Sequence, residues 1–165
     1  MSDVAIRPVT PDQHDTVMHY FDMVAYADNP NWAKCFCMER LVEDYEQRTK
    51  AQNRASRSEL ILSAKANGLV AYRLGRVVGW CRAIVCFVVA PDQRRQGIAT
   101  RLLEAALEHL RSRGMKTAEA YPWARDVDPS RWVWSQYVGP LSMYVKAGFE
   151  VTERQDDFCI VRKTL

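Results

Sequence analysis

The stretch VVAPDQRRQGIATRLLEAAL, residues 88–107, decides how this chain is read. It opens by closing an apolar, β-branched run, Ile84 to Val89, that has the texture of a buried strand. It ends in helical spacing: Ile98, Leu102, Leu103, Ala106, Leu107 and then Leu110 fall on one face, with Arg101, Glu104, Glu108 and Arg111 on the other. Between them lies a short basic linker, Pro91 to Gly97, with a single glycine. A strand that enters a helix this way gathers the first helical amides at the positive end of the helix dipole, which is the geometry of an anion site. Gly97 admits a ligand to the backbone with no Cβ in the way, Ala99 keeps the next turn narrow, and Arg94 and Arg95 add charge. Aligned amides plus guanidinium suit a pyrophosphate. Taken alone, the linker serves equally well as a solvated basic turn, since neither GxxxxGK[ST] nor GxGxxG is present.

Downstream, Gly114 caps the helix, Met115 to Tyr121 reads as a strand and Pro122 to Gln136 as a loop. Leu141 to Lys146 reads as a short helix stopped at Gly148, and the chain closes with a hairpin around Gln155-Asp156-Asp157. Upstream, Thr10-Pro11-Asp12-Gln13 is a helix start, with a capping hydroxyl, a proline at the first helical position and an amide three residues after the cap. That helix is expected to run to about Tyr26, and a second from about Thr49 to Ala66, ended by Asn67-Gly68. A hairpin turns at Leu74-Gly75-Arg76. From Val77 to Ala90 the only turn-forming residue is Gly79, whereas a typical strand is about five or six residues long. Either one long bent strand fills two sheet positions, or a connecting segment between Arg82 and Ala83 is absent from the sequence; the second reading is favoured because a reversal needs residues that are not written there.

Apolar residues make up 48% of the 165 and charged residues 26%, so a single globular domain, 1–165, is expected. No apolar run reaches the roughly 18 residues of a membrane span, and the first residues lack a signal-peptide core, so no membrane is expected as partner and the cytoplasm is the expected location. With 23 Lys plus Arg against 20 Asp plus Glu, the net charge of +3 is too small to argue for nucleic acid. The five cysteines, 35, 37, 81, 86 and 159, read as reduced thiols in or near the core. Cys35 and Cys37 lack histidines at a matching spacing, so no metal is expected.

Arg94-Arg95-Gln96-Gly97-Ile98-Ala99, between VVAP and RLLEAAL, resembles the Q/R-x-x-G-x-G/A signature of the GNAT superfamily of acyl-CoA-dependent N-acetyltransferases. Leu141 to Phe149 (LSMYVKAGF) resembles that family's Y-x-K-x-G-F segment, in the right order along the chain. The resemblance implies an α+β fold, an α/β sandwich in which helices flank a mixed, mostly antiparallel sheet whose fourth and fifth strands splay apart. It implies acetyl-CoA as cofactor, with coenzyme A bound by Phe87, Val88 and Val89 and by Arg94, Arg95, Gln96, Gly97, Ile98, Ala99 and Thr100. Phe87 and Val89 would offer backbone groups to the pantetheine amides like an added strand. Tyr144 would protonate the departing thiolate, a role open to a phenol that is neutral at pH 7. Because the attacking amine must lose a proton and the signature strand carries no acid, Glu119 is the candidate base. Cys86 as a covalent nucleophile is a rival mechanism with no base placed beside it. Where the family often has an asparagine this chain has Tyr137, with Pro140 nearby, which puts that cofactor contact in doubt.

Tyr121, Trp123, Trp132, Trp134 and Tyr137, with Asp126 and Asp128, border the expected acceptor side, and Trp32, Cys35 and Phe36 face them from the first helical region. Aromatic walls and carboxylates suit a small cationic or aromatic amine, so Trp32, Tyr121 and Trp123 are the expected substrate-binding residues. The same aromatics would serve equally to anchor a long loop. A non-catalytic acyl-CoA-binding module and a protein N-terminal or lysine acetyltransferase are the competing readings, and a homodimer is compatible with all three.

Overall fold

The computed structural model describes residues 4–124 and 137–165. Its elements are β1 (Ala5–Pro8), α1 (His14–Met23), α2 (Lys50–Leu62), β2 (Gly68–Arg73), β3 (Arg76–Arg82), β4 (Cys86–Val89), α3 (Ile98–Ser112), β5 (Thr117–Ala120), α4 (Leu141–Lys146), β6 (Glu150–Arg154) and β7 (Cys159–Thr164). The strands form two antiparallel sheets, one in the order β1-β2-β3-β4 and the other β5-β7-β6. β4 and β5 do not pair, so the strand architecture divides between them, as the resemblance implied.

The first sheet is a partition with a core on each side. Val70, Tyr72, Val77, Trp80 and Val88 point to α1 and α2, where they meet Val17, Phe21, Phe36 and Ile61. Leu69, Ala71, Val78, Cys81 and Phe87 point to α3 and meet Ile98, Leu102, Leu103 and Ala106. In β2 this is the period-two alternation of a strand buried on both faces; in β3 a bulge opposite Ala71 and Tyr72 interrupts it, so Val77 and Trp80 share a face. Trp80 lies flat across Gly68, where a Cβ would come within 2.1 Å of the indole, so glycine alone fits.

The helix starts follow the sequence signals. Thr10 N–H donates to Gln13 Oε1 at 3.2 Å, although the first turn, Pro11–Gln13, is a 3-10 turn. Thr49 and Gln52 form a full capping box, with bonds of 2.8 and 3.3 Å. The helix ends come earlier than periodicity suggested, at Met23 and Leu62; α2 stops where Ala64 takes a left-handed φ of 58° and Lys65 N–H closes back on the Leu60 carbonyl.

Two expectations are corrected. β1 was not foreseen; it adds to the edge of β2, from Ala5 opposite Tyr72 to Pro8 opposite Leu69. Nor does the reversal between β3 and β4 need further residues: Ala83 turns left-handed at φ 43°, Val85 N–H closes on the Arg82 carbonyl at 3.1 Å, and Arg82 then pairs with Cys86. Neither the long bent strand nor the absent segment is what is found.

Candidate functional site

The register of β3 against β4 determines which backbone groups face the split. Ala90 N–H donates to the Val78 carbonyl at 2.9 Å, and hydrogen-bonded pairs alternate along an antiparallel ladder. Val88 and Cys86 therefore turn their N–H and C=O toward β3, and Phe87 and Val89 turn theirs toward the gap. Val88 is placed differently from the two residues with which it was grouped: it is fully buried, and its carbonyl also accepts the Tyr20 hydroxyl at 2.8 Å.

β4 leads into the basic loop, whose shape depends on two left-handed residues, Arg95 (φ 61°) and Gly97 (φ 76°). The first intrahelical bond of α3 runs from Arg101 N–H to the Gly97 carbonyl at 3.0 Å. The amides of Ile98, Ala99 and Thr100 thus have no carbonyl one turn back and point out of the 15-residue helix at its positive end. A Cβ built on Gly97 meets nothing within 4 Å, so the space in front of these amides is open. Arg95 is exposed and has no partner among the described residues.

Arg94 departs from expectation. Its guanidinium is bound to Asp28 at 2.5 and 3.0 Å, and its Nε donates to the Val89 carbonyl at 3.1 Å, so it ties the loop to the segment after α1. Gln96 is held in its turn: Arg73 Nη1 donates to Gln96 Oε1 at 2.5 Å and to Gln93 Oε1 at 2.7 Å, while Gln96 Nε2 donates to the Asp92 carbonyl at 3.3 Å. Arg73 and Asp28 carried no motif, and only the fold brings them to the loop.

Tyr144, on α4, reaches the gap from below. Its ring packs edge-on against Phe87 and Phe149, and its hydroxyl lies 2.6 Å from the Val138 carbonyl and 2.9 Å from that of Ile84. A phenol has one proton, so it donates to one of these carbonyls at a time. Burial pushes its pKa far above the usual phenol value, which keeps it neutral. Tyr144 lines a small cavity, too narrow for a water molecule, with Arg40, Val85, Val138 and Tyr121, between the start of β4 and the end of β5.

Next to that cavity opens a cleft of about 530 Å³, lined by Glu39, Arg40, Tyr121, Trp123, Phe158 and Ile160. Tyr121 and Trp123 are brought together here. Trp32 is not; it is buried, its ring tilted against that of Tyr137 with centroids 5.5 Å apart, beside a neighbouring cavity that shares Glu39 and Arg40 with the cleft. Tyr137 is a core residue between Tyr26 and Trp32. Trp132, Trp134, Asp126 and Asp128 lie outside the described residues.

Glu119 is also placed otherwise than a base requires. It accepts hydrogen bonds from the Tyr121 hydroxyl and from Arg162 Nε, the latter at 2.5 Å, and the tyrosine first and the arginine second hold its pKa below the usual carboxylate value. A carboxylate held this way is a weaker proton acceptor. Glu39 shows the opposite shift: burial pushes its pKa up against the pull of Arg40. Neither Glu39 nor Arg40 was picked out from the sequence, where they follow the Trp32 to Cys37 stretch in an irregular segment.

Residues 24–134 match the sequence profile of the acetyltransferase (GNAT) family. No curated protein matches the chain in sequence. Among solved structures, the fold is similar to that of the PaiA N-acetyltransferase from Thermoplasma acidophilum in complex with coenzyme A, at 15% identity over 99% of both chains with a TM-score of 0.58. It is likewise similar to a putative acetyltransferase from Acinetobacter baylyi, at 16% identity over 100% of this chain and 94% of that one (TM-score 0.60). A third, YncA from Salmonella typhimurium with its cofactor acetyl-CoA, shares 14% identity over 98% and 94% (TM-score 0.56). Among the described residues no helix is long and apolar enough to cross a membrane, and no group of three or more His, Cys, Asp or Glu is placed to hold a metal ion.

Proposed function

The chain belongs to the GNAT family of acetyltransferases, and from that premise we propose that it transfers the acetyl group of acetyl-CoA to a small cationic or aromatic amine by direct attack. The split sheet carries this reading, because the unpaired edge of β4 runs directly into the amide-lined start of α3. Phe87 and Val89 would pair with the pantetheine amides, and the amides of Ile98 to Thr100, with Arg95, would hold the pyrophosphate in the open space before Gly97. Arg94 would bind it only by leaving Asp28.

The amine would enter the cleft between Tyr121, Trp123 and Phe158, whose aromatic faces suit a cation or a ring. At pH 7 an alkylamine is mostly protonated and must lose a proton to attack. Glu39, whose basicity burial raises, is better suited to take that proton than Glu119, which holds Tyr121 in place. Tyr144, a neutral donor at the junction of gap and cleft, would give its proton to the departing thiolate.

The test is to incubate the protein with acetyl-CoA and a panel of amines, amino sugars, polyamines and peptides, and to follow free thiol. Thiol release with one amine class supports transfer and names the acceptor. Acetyl-CoA binding by calorimetry with no turnover on any acceptor would make the chain a sensor, and no binding at all would sink the reading.

A further inference from the structure

Behind the cleft, where the segment after α1 meets the start of β4, three cysteines border one small cavity. Cys35, Cys37 and Cys86 line it with Tyr26 and Arg82, and it encloses about 20 Å³, room for a water-sized molecule and too little for an acyl chain. Proposed acetyl transfer uses none of these thiols.

The loop that carries Cys37 has an uncommon shape. Phe36 and Cys37 are both left-handed, with φ of 47° and 56°. Arg57 of α2, fully buried, fixes that shape: Nε donates to the Phe36 carbonyl at 2.9 Å and Nη2 to the Cys37 carbonyl at 2.8 Å. Its remaining nitrogen, Nη1, is buried without a hydrogen-bond partner, as is Nε1 of Trp80, over whose ring the guanidinium lies at 5.1 Å. Two buried N–H donors, one of them cationic and neither with an oxygen to bind, make a setting that favours a negative charge.

The sulfur in that setting is Cys37. The neighbouring Cys86 thiol first, then the Arg57 charge, Trp80 and more weakly Arg82, hold its pKa below the ordinary thiol value in spite of burial. Cys86 shows the opposite shift: the Cys37 sulfur and burial push its pKa up, so it keeps its proton. Cys35 keeps its own because burial, together with Cys37, outweighs its hydrogen bond from Tyr45. Tyr26 and Tyr137, which also line the cavity, stay neutral through burial, and Glu39 and Arg40 face it with opposite charges, the Glu39 carboxyl pushed up by burial. A thiol whose surroundings favour its anion and a thiol that keeps its proton therefore border one void that admits a small molecule.

We propose that Cys37 and Cys86 form a peroxide-sensing pair, in which Cys37 reduces a small hydroperoxide and Cys86 resolves the product as a disulfide. In the first step the Cys37 sulfur attacks one peroxide oxygen, the O–O bond breaks, and the other oxygen leaves and is protonated to water or an alcohol. Cys37 becomes a sulfenic acid. In the second, the Cys86 sulfur gives up its proton and attacks the Cys37 sulfur, the S–O bond breaks and water leaves. Two thiols and one hydroperoxide thus yield one disulfide, water and the alcohol, with hydrogen peroxide giving two waters. The bridge joins the segment between α1 and α2 to the first residue of β4, at the point where acceptor side and signature strand meet.

The test uses the reduced full chain and hydrogen peroxide at pH 7, with unreduced peptide mapping by mass spectrometry. The expected product is a single Cys37–Cys86 crosslink. Cys86→Ser should instead accumulate a Cys37 sulfenic acid that dimedone traps, Cys37→Ser should give neither product, and Cys35→Ser should behave like the parent chain. A crosslink through Cys35 or Cys159, or no crosslink together with no trapped Cys37 in Cys86→Ser, overturns the proposal. If Cys37→Ser does not fold by circular dichroism, the Cys86→Ser arm decides alone. A second readout is the pH profile of iodoacetamide alkylation at each cysteine of the parent chain. An ordinary thiol is only about 3% ionised at pH 7 and gains about 30-fold on full ionisation, whereas Cys37 should already be near its plateau. A Cys37 rate that climbs like that of an ordinary thiol also overturns the proposal. None of these readouts depends on acetyl transfer, so either reading can fail while the other stands.

Discussion

Tyr144→Phe separates two tasks that the geometry assigns to one hydroxyl. The side chain is fully buried and its oxygen sits 2.6 and 2.9 Å from two carbonyls on different segments, so it latches the residues before α4 to the start of β4. One proton serves one carbonyl at a time, so the substitution removes one net hydrogen bond, about 1 kcal/mol, and leaves a buried carbonyl underserved. The total is about 1–2 kcal/mol. For a chain of this size each kcal/mol shifts the melting temperature by about 2–4 °C, which predicts a fall of about 2–8 °C. The loss of a general acid would reduce turnover by about 10²–10⁴-fold. Thermal denaturation, calorimetric titration with acetyl-CoA and thiol release on the same sample read the three quantities. A normal affinity with turnover down a hundredfold or more supports the acid. A melting temperature that falls while turnover per folded molecule holds refutes it and leaves a latch. An unchanged melting temperature refutes the hydrogen-bond argument.

Gly97→Ala puts a methyl group into open space on a left-handed backbone, so it should cost about 1–2 kcal/mol in denaturant titration. It should also weaken acetyl-CoA binding by about tenfold or more; unchanged affinity would mean that no ligand approaches Gly97. Asp28→Asn breaks a pair that is a third to nearly half exposed, so stability should change by less than about 1 kcal/mol. The freed Arg94 should tighten acetyl-CoA binding in a salt-sensitive way, and weaker binding would count against the competition. Glu39→Gln tests the acceptor carboxyl through pH. The folded chain holds this proton more tightly than the unfolded chain, so ionisation costs stability as pH rises from the ordinary carboxyl value, near 4.3, through the raised one. The variant should gain stability over the parent at pH 7 and lose that gain below about pH 4. A pH-independent difference would refute the shift.

Strand, linker and α3 were legible because their signals are local: period two passes to a glycine, then to a period of 3.6. β1 was not, because Ala5 to Pro8 is too short to show a period and only Ile6 is even half-buried. The turn at Ala83 was missed because chain reversal was sought in Gly, Pro, Asn and Asp, while here a β-ladder closing on both sides holds an alanine left-handed. In the site, aromatic residues announced Tyr121 and Trp123, but the same signal could not tell a cleft wall from a core packer, and Trp32 became the latter. Glu39 and Arg40 reach the cleft through an irregular segment shaped by Arg57, some distance away in sequence, and no local pattern encodes that. Glu119 was visible as an acid, but its cross-strand neighbour Arg162, which weakens it as a base, became adjacent only through the pairing of β5 with β7.

The parting of β4 from β5 has a consequence for the handling of the protein. An unpaired strand edge is a template for any other extended chain, and proteins usually bury, twist or charge such edges. Here Arg94 covers the Val89 carbonyl, whereas Phe87 keeps both its backbone groups turned to the gap. The ligand-free protein is therefore expected to self-associate as concentration rises, and a strand-like ligand laid along β4 should act as its solubiliser.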